Sequence, residues 1–180
     1  MRTRLAPLVA LTVALFPASA LADDGPTPAS GDQATVSCLT PKGTVDGLSI
    51  RSVRVGVQAN IRDANGNRLD VNSVSYCVDG GGEFSFALDR DADVVLVLST
   101  ADGDSIGPIN PTTPAASARA EFPNMQKLTK TTAAAAYRVD SKRQLVLGIA
   151  ASRVAFVAAA DRLLLEYPNK LGYYMKRLGF

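Results

Sequence analysis

The sequence predicts an α+β protein, with a small antiparallel β-sandwich followed by a mainly helical C-terminal region. Apolar and polar side chains alternate along short segments before residue 100, with turn signals at a spacing of about ten residues, as in sandwiches. Alanine clusters at residues 133–136 and 158–160 favour helix in the second half. A stretch rich in proline and glycine, at 101–124, separates the two parts.

The N-terminus has the three parts of a secretory signal peptide. Arg2 and Arg4 are followed by an apolar stretch at 5–16 and by small residues that fit cleavage after Ala22. The apolar stretch is shorter than the roughly 20 residues needed to cross a bilayer. We therefore expect an exported protein of the bacterial periplasm or cell surface.

Removal of residues 1–22 gives a chain with a formal net charge of zero, but the charges are distributed unevenly between its two halves. Residues 23–104 carry 13 acidic and 6 basic side chains, whereas residues 105–180 carry 4 acidic and 11 basic ones. The two halves are expected to attract each other, within one molecule or between copies. The expected partner is another protein or a second copy. A membrane surface is an alternative for the basic half, and nucleic acid is not expected.

The cysteine and histidine counts restrict the chemistry further. Cys38 and Cys77 are the only cysteines, and export favours a structural disulfide between them. The chain has no histidine, which removes the usual Ser/His/Asp and Cys/His nucleophilic sites and the commonest transition-metal ligand. We expect no enzyme activity, no cofactor, and no catalytic or metal-binding residues.

Composition shifts divide the chain into five regions. They are a signal peptide at 1–22, a disordered tail at 23–33, a β-sandwich domain at 34–100, a connector rich in Pro and Gly at 101–124, and a helical region at 125–180.

The β-structure is predicted segment by segment. Alternation at 53–61 predicts a strand, and the Asn-Gly pair within 63–67 predicts a hairpin turn. Further alternating strands are predicted at 74–78 and 84–88, on either side of a triple glycine. The continuous apolar run at 94–98 predicts a strand covered on both faces.

Part of this region resembles a known family. The order of a strand, the turn DANGN, a strand, DGGGEFSF and an apolar strand, over residues 53–100, is similar to the prealbumin-like sandwich of carboxypeptidase regulatory-like domains. The family's early Gly-x-Val strand is not clear here, and Cys77 has no obvious counterpart in it. The resemblance implies a non-catalytic accessory or adhesive module.

Two helices are predicted in the second half. The first runs from an N-cap at Ser141 to Tyr167, where Pro168 stops it. The second, at 169–180, places Leu171 and Met175 on one apolar stripe and basic side chains off it. We expect that stripe to dock on the protein's own core, and the alternative is an anionic membrane.

Aspartates flank the apolar strand at both ends. Asp89, Asp91 and Asp93 precede it, and Asp102 and Asp104 follow it. Calcium could bind such loops, but a strand of about seven residues spans roughly 23 Å, so the two clusters cannot form one site.

The sequence thus predicts a non-catalytic function in binding, adhesion or assembly. The first alternative is a peripheral envelope protein that associates with membrane or anionic partners through its basic C-terminal helices. The second alternative is a carboxylate-based hydrolase.

Overall fold

The computed structural model describes residues 14–15, 38–39, 43–46, 49–62, 65–140 and 142–180. The predicted tail, and the predicted signal peptide apart from residues 14–15, lie outside this part of the chain. The strands are β1 (Ala14–Leu15), β2 (Gly43–Asp46), β3 (Ser49–Ile50), β4 (Val53–Arg54), β5 (Ile61–Arg62), β6 (Ser73–Cys77), β7 (Glu83–Leu88), β8 (Val94–Ser99), β9 (Asp104–Ser105), β10 (Gln126–Lys130), β11 (Ala135–Asp140), β12 (Leu145–Ala150) and β13 (Arg153–Ala160). The helices are α1 (Ala115–Glu121), α2 (Arg162–Glu166) and α3 (Pro168–Arg177).

A seven-stranded antiparallel sheet forms the centre of the structure. Its strand order is β10-β11-β12-β13-β8-β7-β6, so two meanders meet where β13 pairs with β8. The pairing joins Val157 to Ser99 and Ala160 to Leu96. One continuous sheet therefore contains strands from both halves of the chain.

Small strands and loops cover one face of this sheet. Strands β4-β3-β2-β9 form a second sheet in which only the β2–β9 pair is parallel, and β1 pairs with β5. Ile50 of β3 and Ile61 of β5 pack into one buried cluster with Phe86 and Val97 of the central sheet. The described fold is thus mostly β-structure around one antiparallel sheet. The predicted α+β class is supported only in part, because four of the seven central strands come from 126–160, which was predicted to be helical.

Helices α2 and α3 cover the opposite face. Leu171 and Met175 of α3 are fully buried and pack in a second cluster with Leu98 and Phe156 of the sheet. The apolar stripe predicted at 169–180 therefore docks on the protein's own core. No helix within the described residues has the length and apolarity needed to cross a bilayer.

The predicted helix from Ser141 to Tyr167 is wrong. Strands β12 and β13 occupy most of that span, β10 and β11 precede them, and only α2 near its end is helical. Ala158, Ala159 and Ala160 are completely buried, because both faces of this part of the sheet are covered. A strand buried on both faces has no polar alternation to distinguish it from a helix, so tertiary packing overrides the preference of alanine for helix.

One smaller expectation also fails. The strand predicted at 53–61 is divided into β4 and β5 by a turn, in which Gly56 has a φ of +79°. The predicted connector at 101–124 contains β9 and the seven-residue helix α1, whose Ala118 packs in the same cluster as Phe86. The predicted strands at 74–78, 84–88 and 94–98 are confirmed as β6, β7 and β8 to within one or two residues.

The disulfide between Cys38 and Cys77 is confirmed, with the two Cα atoms 4.9 Å apart. Next to it, the Leu39 N–H donates to the Cys77 carbonyl at 3.0 Å, and the Asp79 N–H donates to the Leu39 carbonyl at 2.8 Å. The covalent bond thus holds residues 38–39 along the outer edge of β6. Part of an edge strand that would otherwise offer unpaired backbone groups is covered in this way.

A buried ion pair within the small sheet also contacts two strands of the central sheet. Arg51, in the turn between β3 and β4, makes two contacts with Asp104 of β9, Nε to Oδ2 at 3.1 Å and Nη2 to Oδ1 at 3.0 Å. The Asp104 side chain is fully buried, and the hydroxyl of Ser99 in β8 donates to its Oδ2. The Arg51 guanidinium also lies 5.8 Å from the centre of the Phe84 ring.

Removal of one partner of this ion pair is expected to be costly. Asp104→Ala or Arg51→Met should each lower the free energy of unfolding by about 3–5 kcal/mol, because each leaves a buried group without its counter-charge. The double variant Arg51→Met/Asp104→Leu should recover most of that loss. Urea unfolding of the three variants measures these differences, and equal losses in single and double variants would contradict the explanation.

Tyr76 of β6 carries a buried hydroxyl that has no hydrogen-bond partner within the described residues. Its ring packs 6.3 Å from Phe84 and 6.4 Å from Phe86, measured between ring centres. Burial raises the pKa of this phenol above its ordinary value of 10.0, because the charged phenolate would lose its hydration.

Tyr76→Phe is expected to stabilise the protein, by about 1 kcal/mol at neutral pH, since the unpaired hydroxyl is removed without loss of the ring. In the native chain, Tyr76 ionises more readily when unfolded, so stability falls as the pH rises above 10. The variant should lack this part of the alkaline loss. Unfolding followed by circular dichroism between pH 8 and pH 11 measures both effects, and a less stable variant would show that the hydroxyl has a partner.

Candidate functional site

An open groove of about 840 Å³ lies between the turn that joins β7 to β8 and the two C-terminal helices. Its lining includes four carboxylates and three basic side chains, together with two tyrosines and several aliphatic groups. Such mixed walls suit a ligand that offers both apolar surface and charges of either sign.

Aspartates of the β7–β8 turn form one wall of the groove. The Asp89 Oδ1 accepts hydrogen bonds from the backbone N–H groups of Asp91 and Asp93, both at 2.9 Å. Ala92, with a φ of +63°, lies at the tightest point of this turn. The Asp89 carboxylate therefore shapes the turn, while Asp91 faces solvent.

The structure keeps the two predicted aspartate clusters apart. Asp89, Asp91 and Asp93 line the groove before β8, whereas Asp104 lies beyond the end of β8 in its buried pair with Arg51. Among the described residues, no three acidic or cysteine side chains come together in a group that could hold a metal ion. The Asp102 carbonyl accepts a hydrogen bond from the Asn110 side chain at 3.0 Å.

Tyrosines and basic residues of α3 form the opposite wall. The Arg177 guanidinium lies 4.7 Å from the centre of the Tyr173 ring and 5.9 Å from that of Tyr174. Nearby, the Lys170 ammonium lies 5.1 Å from the centre of the Tyr167 ring. Lys170, Tyr173 and Arg177 follow the helical spacing of three and four and lie on the exposed face of α3, whereas Tyr174 is partly buried against the core.

Of the two tyrosines that line the groove, Tyr174 is the more buried. Its pKa is raised chiefly by burial and next by the negative charge of Asp89, while Arg177 acts in the opposite direction. Like an ordinary tyrosine, the phenol is neutral at physiological pH, and the raised pKa keeps it neutral to higher pH. Across the groove, a part of the acidic half of the chain faces a part of the basic half.

The start of α2 closes one end of the groove. The Asp161 Oδ1 accepts a hydrogen bond from the Leu163 N–H at 2.8 Å, and this side-chain cap begins the helix. Leu163 lines the groove and is exposed. The N-cap of α2 is Asp161, twenty residues after the predicted N-cap at Ser141, and Tyr167 at the other end of α2 is also exposed.

A search against protein-family models, curated proteins and solved structures finds no match for this chain. The resemblance of residues 53–100 to the prealbumin-like sandwich stays a prediction.

Proposed function

We propose that this chain is an exported, non-catalytic binding protein of the bacterial periplasm or cell surface, and that it recognises another protein through α2 and α3. Four large hydrophobic side chains of the described residues are markedly exposed, and three of them, Leu163, Tyr167 and Tyr173, belong to these helices or the junction between them. Their exposed fractions are 56%, 54% and 52%. This concentration is the observation that supports the proposal.

The chemistry of this tyrosine face, defined as Leu163, Tyr167, Lys170, Tyr173 and Arg177, suits protein recognition. Tyrosine and arginine are the residue types enriched at the energetic centres of protein interfaces. The face lies on helices whose other side is packed on the sheet through Leu171 and Met175, which are fully buried. A partner would therefore meet a rigid surface, with little loss of conformational entropy.

Contacts of the charged groups in the groove favour binding over catalysis. Asp89 accepts two backbone N–H groups, Asp161 caps α2, and Arg177 and Lys170 lie over tyrosine rings. A carboxylate-based hydrolase needs two carboxylates placed around a substrate bond. Here the Asp89 carboxylate accepts backbone hydrogen bonds of the β7–β8 turn, and the Asp161 carboxylate caps the N-terminus of α2.

Export is supported by the N-terminal sequence pattern together with the disulfide. Disulfides persist mainly in oxidising compartments outside the cytoplasm, and the bond between Cys38 and Cys77 encloses a loop that falls entirely after the proposed cleavage site. Burial of the apolar stripe of α3 argues against that stripe as a membrane contact, which makes a protein partner the stronger reading.

Processing is expected to remove residues 1–22, and with them β1 and its pairing with β5. The exported form should begin at Asp23 and should gain two cysteine thiols on reduction, because Cys38 and Cys77 are the only cysteines. Intact-mass measurement of protein from the periplasmic or secreted fraction, before and after reduction and alkylation, checks both points. A full-length chain in the cytoplasmic fraction would contradict export.

The tyrosine face is expected to contact the partner directly. A photo-crosslinking phenylalanine analogue placed at Tyr173 should give one discrete product in the native envelope. Excess unlabelled protein should suppress that product, and excess Tyr173→Ser protein should suppress it at least about tenfold less well, as for loss of an interface anchor.

Tyr137 offers a matched control on the other face of the sheet. It is a partly buried tyrosine with the Arg119 guanidinium 5.2 Å from its ring centre, which reproduces the tyrosine–arginine pair away from α3. The analogue at Tyr137 should give no such product. Equal labelling at both positions, or competition by the Tyr173→Ser protein equal to that by the native protein, would refute the proposed surface. A product of twice the monomer mass would identify a second copy as the partner.

A further inference from the structure

A second pocket, of about 470 Å³, lies on the other side of α2. Arg138, Lys142 and Arg162 line it together with Gln144, Leu165 and Glu166, and it shares none of these residues with the groove. The three basic side chains come from β11, from the turn after it and from α2. Convergence of cations from three separate elements is unusual, because like charges repel unless a counter-charge offsets them.

The pocket keeps an excess of positive charge. Its only carboxylate is Glu166, whose Oε1 lies 2.8 Å from the Arg162 Nε. That contact uses Nε and leaves the two terminal amino groups of the guanidinium outside it. With three cations and one carboxylate, the pocket has a net charge of +2.

Neighbouring contacts orient the Arg138 side chain and shape the turn that carries Lys142. The Asp140 Oδ1 accepts the backbone N–H groups of Lys142, at 2.8 Å, and Arg143, at 2.9 Å, and so shapes the turn that carries Lys142. The Arg138 Nη2 donates to the Gln126 side chain on the adjacent strand. Asp140 itself does not line the pocket, so its charge is not one of the pocket's own.

We propose that this pocket binds a phosphate group through Arg138, Lys142 and Arg162. A phosphate monoester carries a charge of about −1.5 to −2 at neutral pH, which matches the net charge of the pocket, whereas a carboxylate supplies only one negative charge. Guanidinium groups bind phosphate oxygens in a bidentate manner, and lysine adds a mobile point charge. This site is independent of the protein-binding surface proposed above.

The phosphate group could be carried by a small soluble molecule or by a lipid headgroup. The shared chemistry is the phosphate itself, and the probe is therefore inorganic phosphate, titrated into the full exported chain at constant ionic strength and followed by calorimetry. We expect saturable binding of one phosphate per chain. Acetate, a monoanion, should bind at least about tenfold more weakly, since at least one charge-assisted contact is lost.

Variants separate the pocket from general electrostatics. Arg138→Gln and Arg162→Gln should each weaken phosphate binding by about tenfold or more, as for loss of one charge-assisted hydrogen bond. Arg143→Gln is the matched control, because it makes the same substitution next to Lys142 but in a side chain that does not line the pocket, and it should change the affinity less than about twofold. Glu166→Gln should tighten binding severalfold, because Arg162 loses its internal counter-charge.

The source of the group is tested with vesicles that contain phosphatidylglycerol. Vesicle binding that inorganic phosphate displaces, and that Arg162→Gln weakens, would support a lipid source, and phosphate binding without vesicle binding would support a soluble source. The proposal is overturned if phosphate does not bind, if acetate binds equally well, or if Arg143→Gln weakens binding as much as Arg162→Gln does. Circular dichroism spectra and thermal melts confirm folding, and Arg162, whose side chain is 79% exposed, is the variant least able to disturb it.

Discussion

The pairing of β8 with β13 is the contact on which the rest of the structure depends. Four residue pairs, from Val157 with Ser99 to Ala160 with Leu96, merge two meanders into one sheet. Only this merged sheet has two faces wide enough to bury a cluster on each side, under the small strands on one face and under α2 and α3 on the other. Because α2 begins directly after β13, the same pairing also determines where the groove and the second pocket lie.

The sequence predicted β6, β7 and β8, where alternation or a run of valine and leucine favours a strand, and failed at β12 and β13, where neighbouring alanines favour a helix. Phe84, Phe86 and Leu88 alternate with small or polar residues, and β7 could be recognised for that reason. In β13, Ala158 and Ala160 are buried on one face of the sheet and Ala159 on the other. The sequence therefore has no alternation of apolar and polar residues here that would distinguish a strand from a helix. Phe156 of the same strand lies directly over Gly148, where a Cβ would come within 2.1 Å of the ring. The fit of the Phe156 ring against Gly148 depends on which residues of β12 and β13 are paired, and the local sequence does not specify that pairing.

The candidate sites were predictable only in part. The off-stripe positions of Lys170 and Arg177 followed from helical spacing, so their exposure could be anticipated. Nothing local brings Asp89 opposite Tyr174, or Arg138 beside Arg162, since these pairs are distant in the chain and meet only in the folded sheet. The buried pair of Arg51 and Asp104 is a similar case, because a separation of 53 residues leaves no pattern in the sequence. The charge counts predicted attraction between residues 23–104 and residues 105–180. In the fold, aspartates of the first half and basic residues of the second half line opposite walls of the groove.

The long-range pairing at the centre of the sheet has a consequence for biogenesis. During synthesis, β8 emerges about sixty residues before β13, the strand that pairs with it. Its edge therefore stays unpaired until β13 has been made, and pairing between strands so distant in sequence is typical of slow folding. An open apolar edge invites pairing with other chains. A nascent chain of this kind would therefore benefit from being kept extended by a holding chaperone until β13 is available, and its yield should depend more on that protection than on the final stability of the fold.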